Sequence, residues 1–214
     1  MKKKVAKGAL NLDYEKALIA KGTDVVIGID EVGRGCWAGP MYMTGFEIRV
    51  DSPLINGIND SKKISKLKRN DLYTKLASAS YYTNKKSANE IDGVGLGKAI
   101  NFALKEILEY YSKLYAEQNI KFLVDGNFAG DWDKNIEFIP KGDSKIYSIA
   151  TASIIAKVER DNHMANLDKQ FPKYGFKNHV GYGTKAHREA LEKYGVLPVH
   201  RKSYKPIKKL MCNV

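Results

Sequence analysis

A chain of 214 residues, 43% of them hydrophobic, is long enough for one α/β domain with a sizeable core, and this composition excludes a disordered protein. Lys and Arg number 36 against 24 for Asp and Glu, and the resulting formal charge of +12 favours a polyanionic partner such as nucleic acid over a small neutral ligand. A solvated basic surface gives the same count, so the charge alone leaves both interpretations open.

The cysteines and the amino-terminal segment indicate where the protein works. Cys36 and Cys212 lie far apart and match no metal-ligand spacing, so neither a disulfide framework nor a zinc site is indicated. The amino-terminal lysines are followed by Asn11, Asp13 and Glu15 rather than by the apolar stretch of a secretion signal. No apolar run approaches the ~18 residues that a spanning helix requires. We therefore expect a soluble, cytoplasmic protein with no membrane partner.

The first half of the chain is predicted to begin with strands. The segment Val25–Asp30 is β-branched and apolar until it ends in acids, which is typical of a buried central strand that reaches an exposed edge. After a glycine-rich turn through Pro40, MYMTGFEIRV is predicted to be a second strand. The predictions that follow are a loop over residues 51–59, a helix over Lys66–Ser78 and a third strand over Tyr81–Lys85.

The second half is predicted to alternate helices and strands. Apolar residues recur at helical spacing from Leu96 to Leu114, which predicts a long amphipathic helix packed on a sheet. IKFLVDG repeats the pattern of an apolar strand that ends in an acid, and IEFIP predicts a shorter strand. A helix over Ile146–Val158 has Ala and Ser residues that would let it approach the sheet closely, and a last helix is predicted over Thr184–Tyr194.

These elements predict an α/β fold with a mixed β-sheet flanked by helices. We find no internal repeat or linker, so the sequence predicts a single domain over residues 1–214, with a core at about 24–199 and a basic C-terminal tail at about 200–214.

Acidic residues stand where strands end or a helix begins: Asp30 with Glu31, Asp125, and Asp143. Each has an ordinary interpretation, since an Asp after a strand is usually a turn former and Asp143 is typical of a helix cap. Neighbouring strands that both end in acids would, however, place these acids together at the sheet edge where α/β folds hold ligands. Convergent carboxylates repel one another unless a cation lies among them, and oxygen ligands favour Mg²⁺ or Mn²⁺ over zinc. Two such ions about 4 Å apart can activate water and stabilise the leaving oxygen of a phosphodiester.

The run GIDEVGRGCWAGP resembles the opening signature of the type 2 ribonuclease H family, which includes the bacterial ribonucleases HII. Further blocks that are similar to the family, in the same order, are INDSKKIS, LVDGN, KGDSKIYSIATASIIAKVERD, YGFKNHVGYGT and LPVHRKSYKP. The resemblance therefore extends from about Val25 to about Pro206. It implies a ribonuclease H-like mixed sheet with flanking helices and a helical C-terminal region.

By this resemblance the protein is a metal-dependent endoribonuclease that hydrolyses the RNA strand of RNA–DNA hybrids and nicks 5′ of single ribonucleotides embedded in duplex DNA. The matching catalytic and metal-binding residues are Asp30, Glu31, Asp125 and Asp143. They are implied to hold two divalent ions, Mn²⁺ or Mg²⁺, so that a water attacks the phosphodiester and leaves a 5′-phosphate and a 3′-hydroxyl. We expect the histidines to serve packing or backbone hydrogen bonding rather than metal binding: His163, His179, His187 and His200.

The resemblance also implies residues that bind the substrate. The Gly33-Arg34-Gly35 turn would contact the ribose 2′-hydroxyl, the group by which a protein distinguishes RNA from DNA, and absent side chains allow a close backbone approach. Tyr182 matches the tyrosine that packs at the RNA–DNA junction, and otherwise it is an ordinary half-buried tyrosine. Lys62 matches a phosphate-contacting lysine, although the lysine-rich run that contains it is also typical of a solvated helix face.

Several details separate this chain from related patterns. Type 3 relatives carry an N-terminal substrate-binding domain and a Gly-Lys-Gly turn, so type 2 is the better match. The departures from the type 2 pattern are Val180 for a frequent lysine, Thr151 for a frequent alanine and Tyr204 for a frequent phenylalanine. The missing lysine is expected to weaken a phosphate contact and to leave the metal ligands unchanged. The segment from His200 to Lys205 suits phosphate contact and equally suits a solubilising tail.

Two other functions compete with this interpretation. Gly33, Gly35 and Ala38 fit a dinucleotide-binding fingerprint, but that motif must open a helix, whereas Pro40 and a predicted strand follow here. A non-catalytic nucleic-acid-binding module explains the basic charge but not the acids at matching positions. We therefore expect a nuclease that acts as a monomer on RNA–DNA hybrids and on ribonucleotide-containing DNA.

Overall fold

The computed structural model describes residues 10–212. Its strands, numbered in chain order, are β1 Val25–Val32, β2 Met41–Ile48, β3 Tyr81–Lys86, β4 Ile120–Asp125 and β5 Ile136–Ile139. They form a mixed five-stranded sheet in the order β3-β2-β1-β4-β5, in which β4 runs parallel to both β1 and β5. Each of these strands was predicted, and the predicted fold class is confirmed.

Helices flank the sheet: α1 Asp13–Ile19, α2 Lys66–Lys75, α3 Ala88–Val94, α4 Leu96–Leu114, α5 Tyr147–Gln170, α6 Phe176–His179, α7 Lys185–Tyr194 and α8 Lys205–Met211. One-turn 3₁₀ segments lie at Gly142–Ser144 and Pro172–Tyr174. The sequence did not predict the bounds of α1, α3, α6 or α8, and it ended α5 too early, at Val158. Among the described residues, no helix is long and apolar enough to cross a membrane.

The stretch between β1 and β2 rules out the dinucleotide-binding interpretation. No helix begins between Val32 and Met41, both within the described residues, so Gly33 and Gly35 do not open one. A dinucleotide fingerprint needs a helix amino terminus at this point to hold the pyrophosphate.

Helix α5 approaches the central strand β1 as closely as its small residues predicted. A Cβ on Gly28 of β1 would lie 2.3 Å from the backbone carbon of Ser148, which no side chain can tolerate. At the start of the helix, the carboxylate of the fully buried Glu15 accepts a hydrogen bond of 2.7 Å from the Ser148 backbone N–H. This bond satisfies one of the N–H groups that every helix leaves unpaired in its first turn.

The described chain divides into two compact units. The first comprises the residues up to Glu31, Met43–Asn84 and Lys105–Val158, and the second comprises Val32–Tyr42, Lys85–Leu104 and the residues from Glu159 onward. The first has an apolar core that includes Val26, Phe46, Leu72, Leu123 and Ile154, and the second has one that includes Ala38, Met164, Phe176, Leu191 and Ile207. A single domain over residues 1–214 stays a prediction, and residues 1–9 and 213–214 lie outside the described residues.

Candidate metal centre

Three of the four predicted carboxylates meet at one edge of the sheet. Asp30 lies in β1 and Asp125 ends the neighbouring parallel strand β4, where Ile29 pairs with Val124 one residue earlier. Asp143 lies in the 3₁₀ turn that follows β5. One oxygen from each of Asp30, Asp125 and Asp143 lies within 4.8 Å of the others. Parallel strands deliver their last side chains to the same edge, which is why sequence pattern alone predicted this convergence.

Glu31 is not among these three converging carboxylates. Successive side chains of a strand point to opposite faces, so Glu31 and Asp30 diverge. Glu31 still lies close, because its backbone N–H donates a 2.7 Å hydrogen bond to Oδ1 of Asp30 and its charge raises the pKa of Asp30. Its predicted role as a metal ligand stays a prediction.

The backbone of the 3₁₀ turn orients Asp125. The N–H of Gly142 donates a hydrogen bond of 2.6 Å to Oδ1 of Asp125. A Cβ on Gly142 would lie 2.6 Å from Cδ1 of Ile149, so the turn approaches the strand closely only because this residue has no side chain. The same turn carries Asp143, so one hydrogen bond links the positions of two carboxylates.

The electrostatics of the centre favour a bound cation. Burial raises the pKa of Asp30 well above its ordinary value, and the charges of Glu31 and Asp125 raise it further, against hydrogen bonds from Ser153 and from the Glu31 backbone. Burial likewise raises the pKa of Asp143, and so does the charge of Asp125. Hard carboxylate oxygens that repel one another fit a divalent ion such as Mg²⁺ or Mn²⁺.

The cationic side chain of Lys62 lies beside the carboxylates. Its Nζ is 3.5 Å from Oδ2 of Asp143, while its side chain remains 80% exposed. Burial lowers its pKa, but the charges of Asp143, Asp30 and Asp60 outweigh that effect, so the pKa of Lys62 is raised. The ammonium group therefore stays charged at the edge of the centre, where a phosphate could reach it.

Sequence reasoning missed a hydroxyl pair behind Asp30. The buried Oγ atoms of Ser61 and Ser153 lie 2.9 Å apart, and the Ser153 side chain hydrogen-bonds to Asp30. Ser61 stands between Asp60 and Lys62, and Ser153 is on helix α5. Nothing in the local sequence distinguishes a buried serine that supports a carboxylate from one that simply packs.

The second unit holds the residues that were predicted to bind the ribose. Gly33 is buried with φ at +95°, and a Cβ there would lie 2.3 Å from Nε of Arg160, so the turn requires glycine at this position. Arg34 and Gly35 are exposed. Tyr182 is 43% exposed, and its ring lies 4.0 Å from the point where a Cβ on Gly35 would be. The turn and the tyrosine thus share one surface of this unit.

Arg160 was also missed as a structural residue. It is fully buried, and its guanidinium donates to the carbonyl oxygens of Pro40, Ala38 and Val180 at 2.9, 3.3 and 2.9 Å. Val180 itself has φ at +43°, an uncommon conformation for a β-branched residue, and the hydrogen bond to its carbonyl helps to hold it there. An arginine in a basic sequence is ordinarily interpreted as a phosphate ligand. The sequence pattern therefore could not predict that this arginine is buried.

Three histidines form a buried cluster in the second unit, as their predicted packing role requires. The Nε2 atoms of His187 and His200 are 3.1 Å apart, and the rings of His179 and His187 stack at 4.3 Å. Burial lowers the pKa of both His187 and His200 to about 4. Nδ1 of His187 lies 3.0 Å from the carbonyl oxygen of Tyr182, so the cluster also supports the loop that carries this tyrosine.

The chain is similar to proteins of a known family. A family model described as "Ribonuclease HII" matches residues 27–207. A relative from Francisella tularensis subsp. novicida, "Ribonuclease HII", is 43% identical over 189 residues, which cover 87% of this chain and 100% of the relative.

Solved structures show the same fold. Ribonuclease H2 from Pyrococcus horikoshii OT3 is similar with a TM-score of 0.67 and 24% identity, over 88% of this chain and 98% of that one. Bst-RNase HIII in complex with Mn²⁺ is similar with a TM-score of 0.68 and 16% identity, over 90% of this chain and 70% of that one.

Proposed function

Since the chain belongs to the ribonuclease HII family and is a ribonuclease H, we propose that it hydrolyses the RNA strand of RNA–DNA hybrids and also nicks duplex DNA on the 5′ side of a single embedded ribonucleotide. The observation that carries this proposal is the convergence of Asp30, Asp125 and Asp143 at one sheet edge. Such an incision would begin the removal of ribonucleotides from DNA.

We propose that Asp30, Asp125 and Asp143, together with Glu31, hold divalent Mn²⁺ or Mg²⁺, with two ions present when substrate is bound. The acidic donor set supports this assignment, and the Bst-RNase HIII structure contains Mn²⁺. A bound ion of this kind lowers the pKa of a water and neutralises charge on the phosphodiester. The products would be a 5′-phosphate and a 3′-hydroxyl.

The chain's own residues would orient the substrate. The charged Nζ of Lys62, beside Asp143, is placed to contact a phosphate, and the +12 charge of the chain favours binding of the polyanion. The Gly33-Arg34-Gly35 turn, in which Arg34 and Gly35 are exposed, would contact the 2′-hydroxyl through its backbone, and Tyr182 would pack against the neighbouring sugar. These contacts explain why cleavage would occur only beside a ribose.

Cleavage of labelled duplexes tests the proposal. Wild-type protein with Mn²⁺ or Mg²⁺ should nick a DNA duplex that contains one ribonucleotide, degrade an RNA–DNA hybrid and leave an all-DNA duplex intact. A DNA polymerase should extend the nick, since extension requires a 3′-hydroxyl. Intact ribonucleotide-containing duplexes across a full metal titration would refute the proposed activity.

The Asp125→Asn variant tests the role of the acidic centre. We expect turnover to fall roughly 100-fold or more, because loss of a charged ligand removes several kcal/mol of transition-state stabilisation. Affinity for the hybrid should remain close to that of wild type. Asp51→Asn is the matched control, since Asp51 is exposed and lies in a turn outside the centre. Equal turnover in Asp125→Asn and Asp51→Asn would remove Asp125 from the mechanism.

We also propose that the protein works as a monomer in the cytoplasm. Within the described residues, neither Cys36 nor Cys212 forms a disulfide, which suits a reducing compartment. Light scattering at micromolar concentration should give the mass of one chain, and a mass of two chains would contradict the proposal.

A further inference from the structure

The carbonyl oxygen of Arg34, at the centre of the Gly33-Arg34-Gly35 turn, accepts two hydrogen bonds from the C-terminal segment. Nη1 of Arg201 donates to it at 2.8 Å, and the hydroxyl of Tyr204 donates to it at 2.6 Å. Nη1 of Arg201 also donates to the Tyr204 hydroxyl at 2.8 Å. The three groups form a closed triangle in which both lone pairs of the carbonyl oxygen are used.

Arg201 is itself held rigidly. It is 0% exposed, and its Nε and Nη2 donate to the carbonyl oxygen of Gly39 at 3.2 and 3.0 Å. A guanidinium with five donors in a fixed plane can join two backbone segments in this way, and a lysine cannot. Because the guanidinium is buried and already bonded to protein oxygens, it does not serve as the phosphate contact that its basic surroundings suggested.

The segment that carries both residues is anchored to helix α3. The carboxylate of Asp92 accepts hydrogen bonds from the backbone N–H groups of Lys202 and Ser203, at 2.7 and 2.9 Å. It also accepts one from the Ser203 hydroxyl at 2.6 Å. The donors to Arg34 therefore project from a fixed turn and not from a loose tail.

We propose that the Tyr204 hydroxyl is a positioning group for ribose selection, which together with Arg201 fixes the Arg34 carbonyl and so the path of the Gly33-Arg34-Gly35 turn. The inference rests on the proposed function, in which this turn contacts the 2′-hydroxyl. Glycines allow the turn to approach a sugar but also leave it conformationally free. A turn that is held in its reactive geometry before substrate binds loses less entropy on binding and selects its target more sharply.

Tyr204→Phe tests the inference with the smallest possible change, because it keeps the ring and removes only the hydroxyl. The readout is the ratio of cleavage rates on two duplexes that carry ribose or 2′-fluororibose at the single reacting position. We expect this ratio to fall roughly fivefold, the factor that corresponds to one hydrogen bond of about 1 kcal/mol. Amide hydrogen exchange in a peptide that covers residues 33–36 should accelerate by a similar factor.

Tyr194→Phe is the matched control. Tyr194 ends α7 in the same unit and is 41% exposed. Its ring lies beside Lys173 and Lys193, away from the hydrogen bonds that Arg201 and Tyr204 make to Arg34, which we call the brace. Its substitution should change neither the rate ratio nor exchange in the turn. A purely structural role for Tyr204 would lower the rates on both duplexes equally, so an unchanged ratio overturns the proposal even if exchange accelerates.

Failure of the proposed function would look different. If wild-type protein cut neither duplex at any metal concentration, the proposed function would be refuted. The inference about ribose selection would then be refuted with it, whatever the variants did. If wild type cuts and Tyr204→Phe matches Tyr194→Phe in both ratio and exchange, the proposed function stands and the positioning role of Tyr204 is overturned.

Discussion

Gly142 contributes to the acidic centre although it has no side chain. Its N–H donates a hydrogen bond of 2.6 Å to Oδ1 of Asp125. A Cβ on this residue would lie 2.6 Å from Cδ1 of Ile149, so the absence of a side chain leaves room for Ile149. The sequence predicted Asp125 from its position at the end of a strand and Asp143 from its position at the start of a helix, but it could not predict this link. A backbone hydrogen bond between a turn and a strand depends on distances that residue types do not encode.

We expect Gly142→Ala to weaken metal binding. The new methyl group must displace Ile149 or the turn, at a cost of roughly 1–3 kcal/mol for an overpacked site, and displacement of the turn shifts two carboxylates together. Calorimetric titration with Mn²⁺ should show a lower affinity, and the Tm should fall.

Gly97→Ala provides the control for that substitution. Gly97 is the second residue of helix α4, and apart from its chain neighbours and the backbone of its own helix nothing lies within 4 Å of the position of a new Cβ, so alanine should not lower stability. An equal metal affinity in Gly142→Ala and wild type would show that the turn does not set the geometry of the carboxylates.

At the scale of elements, strands β1 and β4 were predictable because apolar runs that end in acids have few other interpretations. Helix α5 was ended too early because Glu159, Arg160 and Asp161 interrupt its apolar pattern. It continues to Gln170 because Arg160 pairs with backbone carbonyl oxygens and can therefore be buried. Tertiary contacts here override a local signal of exposure.

Helix α3 was missed although its sequence carries a start signal. Ser87 accepts a hydrogen bond from the Glu90 N–H, and the Glu90 carboxylate accepts one from the Ser87 N–H, which together form a capping box. We expect Ser87→Ala to lower the free energy of unfolding by about 1 kcal/mol, since alanine removes the oxygen that accepts from the Glu90 N–H and keeps only the backbone N–H that donates to the Glu90 carboxylate. Urea denaturation measures the change.

Ser112→Ala is the matched control for the cap, because Ser112 is exposed in the last turn of helix α4, away from any helix start, and alanine is the better helix former. Its stability should match or slightly exceed that of wild type. If both variants unfolded at the same urea concentration, the capping box would contribute nothing measurable.

At the scale of the whole molecule, the sequence pattern predicted the fold class and the acidic edge but not the division into two compact units. Each unit forms its own apolar core from segments far apart in the chain. Hydrophobic periodicity reveals which face of an element is buried and not which other element covers it. The brace formed by Arg201 and Tyr204 escaped prediction for the same reason.

The buried histidines predict a loss of stability in mild acid. The pKa of His187 and of His200 is lowered from 6.5 to about 4, first by burial, so the folded state binds these protons less readily than the unfolded chain. Stability is therefore fully present above about pH 6.5 and is lost as the pH falls toward about 4. The Tm should decrease across this window.

A variant comparison isolates the histidine contribution. Asp30 and Asp143 have the opposite effect on stability. Their pKa values are raised, so protonation at low pH relieves buried negative charge and stabilises the folded state. His200→Gln keeps a hydrogen-bonding side chain that does not titrate, so its Tm should fall less steeply between pH 6.5 and pH 4 than that of wild type. Parallel Tm curves for the two proteins would exclude the histidine cluster as the acid-sensitive element.

The contact between Gly28 and helix α5 limits how strand β1 can slide. A shift of one residue along the strand would bring the side chain of Ile27 or Ile29 to the point where the backbone of Ser148 leaves no room even for a methyl group. Asp30 lies two residues beyond Gly28, so this steric stop also fixes how far its carboxylate reaches past the sheet edge. Insertions or deletions between Gly28 and Asp30 should therefore be absent from any variant of this protein that still folds and cuts.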